Sequence, residues 1–228
     1  MSNKNGIAWG LLRRRQATLP TWRGWIVILV LVGLIGLGGL RCSYSFLAVN
    51  DPSPSGILVV EGWASDYVLA AAKEEFTQHR YLKLCVTGVP IEAGAPLCEY
   101  RTYAERGVAV LLKLGLSTNE VSAVPAPLVR QDRTYTCART LRQWLATNNI
   151  AATNINLISV GPHSRRSRLL FQKAFGNEVP VGIMSIRSQE YDPGRWWHSS
   201  AGFRAVTSEQ IAYTYARFFF HPGKQPAL

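Results

Sequence analysis

Acidic residues are scarce in this chain: 14 Asp and Glu stand against 25 Lys and Arg, for a formal charge of +11. The deficit is uneven. Residues 1–24 hold Lys4, Arg13, Arg14, Arg15 and Arg23 and no acid at all. Residues 41–129 carry seven basic and nine acidic side chains, whereas residues 130–228 carry thirteen and five. Two separate basic regions call for two explanations. Also missing are G-x-G-x-x-G, the Walker A pattern and G-x-S-x-G, so dinucleotide binding, P-loop NTP hydrolysis and α/β-hydrolase chemistry lack their usual signals. The four cysteines form no C-x-x-C, which argues against a zinc site or a dithiol redox pair. No internal repeat or low-complexity tract is present. With 47% hydrophobic and 17% charged residues, the composition can build a core and does not suggest disorder.

The first basic region precedes an uncharged apolar run of 17 residues, Gly24 to Leu40, bounded by Arg23 and Arg41. That length sits at the short end of the roughly 17–25 residues that cross a bilayer. Flanking arginines can snorkel and extend the span, and Trp22 and Trp25 stand where an interfacial aromatic belt is expected. Five basic residues before the run against one just after it predict a single-pass plasma (inner) membrane protein. The N-terminus would be cytoplasmic and everything beyond Arg41 extracytoplasmic. A cleaved signal peptide, cut near Ser43-Tyr44-Ser45, is the alternative. For an exported domain, nucleic acid is not an expected partner; the bilayer is, and basic residues near anionic headgroups have a simpler explanation. A Cys98–Cys137 disulfide or free thiols are both open, with free thiols favoured.

Organisation then follows from periodicity. Residues 1–23 form a basic N-terminus, 24–41 the transmembrane helix, 42–55 a linker, 56–220 a domain and 221–228 a tail. Within the domain, apolar runs at Ile57–Val60, Tyr81–Thr87, Val121–Val124, Ile155–Val160 and Val179–Ile186 predict five strands. Helical spacing predicts helices at Ser65–His79, Glu99–Leu114, from Asp132 to Thr147, after Pro162 to Phe175, and at Ser208–Phe219. Strands that are continuous apolar runs, alternating with amphipathic helices, imply a three-layer α/β/α sandwich around a mostly parallel, Rossmann-like sheet. Ligands of such sheets bind at the carboxyl ends of the strands.

Candidate chemistry therefore lies in the loops after the strands. Ser159 to Arg168 ends a strand and opens a helix with Pro162 at its start, placing His163 and Arg166 three apart on one face. Free amides there and the guanidinium predict an anion site. Arg133 and Thr134 open the preceding helix in the same way. Glu61, just past the first strand, and Glu99, expected at a helix start, are the nearby carboxylates. With His163 they are candidates for acid/base catalysis, or for a hard-metal site, although no metal-spacing motif is present. Trp196-Trp197-His198 is a stacking surface, a contact with the membrane surface, or packing. No motif names a cofactor.

The order and spacing of these segments resemble the ElyC/SanA/YdcF family of envelope-associated α/β proteins. Cys98-Glu99-Tyr100 is similar to the family's first helix signature, Arg133-Thr134-Tyr135-Thr136-Cys137-Ala138 to the second, and Ser159 to Ser167 to the third, with His163 and Arg166 in place. The second signature differs at Arg133, Thr136 and Cys137, and the first loop reads Glu61-Gly62-Trp63. The resemblance, over about residues 56–220, implies a role in cell-envelope biogenesis around peptidoglycan or its polyprenyl-phosphate carrier. Its implied partners are a phosphorylated or anionic envelope intermediate and envelope biosynthesis proteins. Hydrolase or transferase activity and a non-catalytic scaffold both remain open.

Overall fold

A computed structural model of the chain describes residues 6–7, 12–13, 19–92, 98–177 and 179–223. Lys4, Arg14 and Arg15 of the basic N-terminus, residues 93–97 of the second strand-end loop and residues 224–228 of the tail lie outside the described residues. The chain forms two compact units, Met1–Arg41 and Cys42–Leu228.

The first unit holds a short antiparallel pair, Gly6–Ile7 with Leu12–Arg13, and most of helix α1, Trp22–Leu47. This helix has 26 residues, and its most apolar 18-residue stretch has a mean hydropathy of 2.3, so it is long and apolar enough to cross a membrane. At about 1.5 Å per residue it measures ~39 Å, more than the ~30 Å hydrocarbon core needs. The excess has a use. Its final turns belong to the second unit, where Leu47 is fully buried and the Phe46 ring meets Tyr213 edge-on at 5.6 Å. The predicted linker thus begins as helix. The rest of it is pinned too: Asp51 exchanges backbone hydrogen bonds with Ile183, and Ser53 N–H donates to Asn156 Oδ1 at 3.1 Å. That strap covers part of an exposed sheet edge, where unpaired backbone would otherwise invite association.

The second unit is the predicted sandwich. Its strands are β1 (Gly56–Glu61), β2 (Tyr81–Gly88), β3 (Val121–Pro125), β4 (Ile155–Val160) and β5 (Val181–Ile186). All pair in parallel, in the order β3-β2-β1-β4-β5. The helices are α2 (Asp66–Gln78), α3 (Tyr103–Lys113), α4 (Arg133–Thr147), α5 (His163–Phe175) and α6 (Ser200–Phe218). Strand alternation sorts the core into two layers. Leu58, Val60, Leu84 and Val86 pack against Val68, Leu69 and Leu111 of α2 and α3. Ile57, Val59, Cys85 and Leu157 pack against Ala138, Leu141, Leu170 and Phe171 of α4 and α5. Both faces of the central strands are therefore apolar, which is why the strands read as unbroken hydrophobic runs. The chain builds outward from β1 through β2 to β3, then returns to place β4 on the other side of β1. The carboxyl ends of β1 and β4 consequently flank a topological switch point, where sheets of this kind open a crevice.

Two helix starts differ from expectation. Helix α3 begins at Tyr103, four residues after Glu99. Arg101 and Thr102 are held extended against Val89–Ile91, with Tyr103 N–H donating to Val89 O and Ile91 N–H to Arg101 O, both at 3.0 Å. The acid at this helix start is Glu105, whose carboxylate accepts from Thr102 N–H while Thr102 Oγ1 accepts from Glu105 N–H, a reciprocal cap. Helix α6 begins at Ser200 rather than Ser208, capped by Ser199, and follows a short 3-10 segment, Pro193–His198. Trp196 in that segment is 1% exposed and packs near Leu47 and Val206, so this tryptophan serves the core.

The start of α3 lies hard against the strand ends. A Cβ at Gly62 would stand 2.3 Å from Tyr103 O, and one at Gly88 2.5 Å from Ala104 N. Backbone cannot yield as a flexible side chain can. Gly62→Ala is accordingly expected to destabilise the domain by about 1–3 kcal/mol, measured as a fall in denaturation midpoint at unchanged slope.

Candidate functional site

The strands facing α4 and α5 end in polar residues. Glu61 continues the face of Ile57 and Val59, Thr87 that of Cys85, and Ser159 that of Leu157. In the sheet, Glu61 is in register with Thr87 on one side, and the pairing of Val60 with Ile158 sets Ser159 on the other. The result is a polar row across β2, β1 and β4 at the switch point. All three residues are buried, with exposures of 1–3%.

Glu61 is the centre of that row. Ser159 Oγ donates to its Oε2 at 2.6 Å, and Ser167 Oγ from α5 lies 3.1 and 3.2 Å from its two oxygens. His163 Nε2 lies 3.3 Å from Oε1. On its other side His163 Nδ1 is 2.8 Å from Glu209 Oε1. Glu209, from α6, also accepts from Arg166 Nε at 2.8 Å and Nη2 at 3.0 Å. With a carboxylate at each ring nitrogen, His163 is an imidazolium that donates from both. Arg166 Nη2 also lies 2.9 Å from Nδ1; both atoms bear hydrogens, and Glu209 Oε1 is their shared acceptor. The four side chains thus alternate negative, positive, negative, positive and neutralise one another.

Titration behaviour follows from that alternation. Burial pulls the His163 imidazolium down, but Glu61 and Glu209 outweigh it and push the ring up to about 9. Burial pushes the Glu61 carboxyl up, and is outweighed by His163, Ser159 and Arg166, leaving it below its ordinary value. Burial likewise opposes Glu209, which the hydrogen bonds from His163 and Arg166 draw down to about 2. All four groups are charged at neutral pH. The ring of Trp63 meets His163 edge-on at 5.0 Å and covers it from the loop after β1.

Above this cluster opens a cleft of about 490 Å³. Glu61, Thr87, His163 and Arg166 contribute from the strand ends and α5; Arg130, Arg133, Thr134 and Cys137 contribute from α4 and the loop before it. The sequence candidates Glu61, Arg133, Thr134, His163 and Arg166 therefore share one cleft. Glu99 does not. It borders a separate, shallow groove with Glu105 and Leu112 on α3, because the extended segment before α3 carries it there. No acid/base group of Glu61, Glu99 and His163 is assembled. The acids that His163 and Arg166 meet are the protein's own, Glu61 and Glu209, so neither ring nitrogen of His163 is available to a ligand. Arg166 Nη1 has no partner among the described residues. Arg133 makes only a loose pair with Glu92, at 3.9 Å between side chains more than half exposed, and Arg130 makes no ion pair among the described residues.

Among the described residues no group of three His, Cys, Asp or Glu side chains could hold a metal ion. All four cysteines are free thiols, so the Cys98–Cys137 bridge is not formed. Cys137 lines the cleft, but burial, reinforced by Glu61, pushes its thiol up to about 12 against the pull of Arg133, and it is not a thiolate nucleophile at neutral pH.

Sequence reasoning missed Glu209 and the role of Thr87, and it gave no separate role to Ser159 and Ser167, which lie inside the segment from Ser159 to Arg168 that it singled out. Glu209 had one available signal: it is the sole acid in α6, whose other charged residues are Arg204 and Arg217. A lone acid on an otherwise basic helix tends to have a specific partner. Comparison with protein-family models, with curated proteins and with solved structures finds no match to this chain, so the chemistry of the cleft is argued from its own side chains.

Proposed function

We propose that this is a membrane-anchored protein of cell-envelope biogenesis whose cleft binds a phosphorylated, anionic envelope intermediate. The observation that carries the binding reading is the cleft itself: it opens at the switch point of a parallel sheet, beside the first turn of α4, with Arg130, Arg133 and Arg166 around it. Guanidinium groups suit bidentate contact with phosphate, and helix N-termini attract anions. The apolar helix α1 supports a membrane anchor, and the resemblance in the order of the three helix-start signatures supports the envelope role. Because both nitrogens of His163 are engaged by carboxylates, the cluster is built to hold shape and charge.

The test is binding of farnesyl phosphate, a short polyprenyl phosphate, to the full chain in detergent micelles. Saturable binding is expected, weakened at least tenfold in Arg130→Gln/Arg133→Gln, with the double variant also failing to restore envelope integrity in a deletion strain. Unaltered complementation by that variant would sink the reading.

A second reading, a scaffold for envelope enzymes, draws on the outer face of α6, where Phe203, Ile211, Tyr215 and Phe218 are 51–73% exposed. Exposed apolar side chains gathered on one helix are a feature of interaction sites. It requires substitutions on α6 to impair complementation more than substitutions in the cleft do.

A further inference from the structure

We infer that the cleft holds a dedicated seat for a terminal phosphate, built from Thr87 and the first turn of α4, and that the ligand is a phosphomonoester which enters phosphate first. The inference deepens the binding reading above and rests on it.

Two independent observations meet here. The first is the start of α4. Its N-cap residue, Asp132, is in the left-handed region at φ 54° and offers no side-chain cap to the helix. The first intrahelical bond runs from Thr136 N–H to Asp132 O. The amides of Arg133 and Thr134 accordingly have no acceptor among the described residues, as expected for the leading turn of an uncapped helix. The second is Thr87. Its hydroxyl has no hydrogen-bond partner among the described residues, although the residue is 1% exposed and lines the same cleft. Elsewhere in the polar row the demand is met, Ser159 Oγ donating to Glu61 Oε2; Ser164 Oγ and Trp196 Nε1 are also buried without a partner among the described residues, but neither residue lines the cleft. A buried hydroxyl without a partner is costly and rare in folded proteins. Thr87 Oγ1 is thus an unpartnered buried donor on a residue that lines the same cleft as the uncapped start of α4, Arg130 and Arg133.

The burial of Thr87 bears on the ligand class. A hydroxyl on a residue 1% exposed admits only a small group, and such a group must be the leading end of its molecule. A terminal phosphate fits, presenting three oxygens to the hydroxyl, the amides and the arginines. A phosphodiester, substituted on both sides, does not fit end-on. Trp63, 44% exposed and also lining the cleft, offers an apolar surface for the organic part that follows.

The experiment compares inorganic phosphate, phenyl phosphate and diphenyl phosphate by calorimetric titration and thermal shift on the full chain in detergent. Wild type is expected to bind inorganic phosphate and phenyl phosphate, and diphenyl phosphate at least tenfold more weakly. Thr87→Val keeps the shape and removes the hydroxyl. It is expected to melt no lower than wild type without ligand, yet to bind phenyl phosphate about tenfold more weakly, with Thr87→Ser restoring binding. Should the valine variant fail to fold, Thr87→Ala serves in its place. Wild-type affinity in the folded Thr87 variants, while Arg130→Gln/Arg133→Gln loses binding, would overturn the seat and leave the broader reading standing. Equal affinity for the diester would overturn end-on entry. No binding of either phosphate probe by wild type overturns both.

Discussion

Replacing Glu209 by alanine is expected to lower the melting temperature of the domain by roughly 6–12 °C, more than any other single change in the cluster outside its centre. Glu209 receives three of the hydrogen bonds that hold the site, from His163 Nδ1 and from Arg166 Nε and Nη2. Its removal leaves two cations close together, with Arg166 Nη2 only 2.9 Å from His163 Nδ1 and one carboxylate, Glu61, to balance them. Removing one partner of a buried ion pair costs on the order of 3–5 kcal/mol. The side chains of Glu209 and Arg166 are 16% and 21% exposed, so the lower end, about 3 kcal/mol, applies. For a domain of this size that converts at about 2–4 °C per kcal/mol. Calorimetry of the full chain in detergent measures it, and a fall under 2 °C would show that the network carries no net stability. The same variant is expected to lower the His163 titration toward its ordinary value, which the imidazole resonances report by NMR.

Stability should also decline on the alkaline side of neutrality. His163 titrates near 9 in the folded domain against about 6.5 in an unfolded chain. A raised folded value means the contribution is fully present below about pH 6.5 and is lost as pH rises through about 9. Its size is on the order of 3 kcal/mol, at about 1.4 kcal/mol per pH unit of displacement. Glu209 has the opposite sign: drawn down to about 2, its contribution is present above roughly pH 4.5 and is lost as pH falls through about 2. These two groups together set a plateau between roughly pH 4.5 and 6.5. Urea denaturation at pH 6 and pH 9 tests the alkaline arm, and His163→Gln, which has nothing to titrate there, is expected to flatten it. Equal wild-type stability at the two pH values would contradict the imidazolium assignment.

Much of the fold was legible because its causes are local. The five strands show as apolar runs since both sheet faces are covered, and β4 was bounded at Ile155–Val160 from the sequence as in the structure. Helix α5 ends at Phe175, just before Gly176, as read from the sequence. The boundaries that moved are those set by distant contacts. Nothing near Glu99 announces that residues 101–102 will lie against Val89–Ile91 and delay α3 to Tyr103. Nor does anything near Ser200 announce that α6 begins there, because its outer face stays apolar and its periodicity is blurred.

The candidate site divides along the same line. The switch-point rule directed attention to the loops holding Glu61, Arg133, Thr134, His163 and Arg166, and all five line one cleft. By itself, then, the sequence determined a basic N-terminal segment with a helix long and apolar enough to cross a membrane, a parallel α/β sandwich and the end of the sheet where its polar residues collect. Those properties arise from hydropathy, periodicity and strand order, which are written along the chain. Only the tertiary structure decided what the polar residues do for one another. It brings Glu209 across 46 residues to His163 and carries Glu99 away to another groove. It also leaves the buried hydroxyl of Thr87, a residue lining the cleft, without a partner among the described residues. Pairing among buried charges depends on which helices pack side by side, and that is settled by the fit of their apolar faces, not by any pattern in the charged residues themselves.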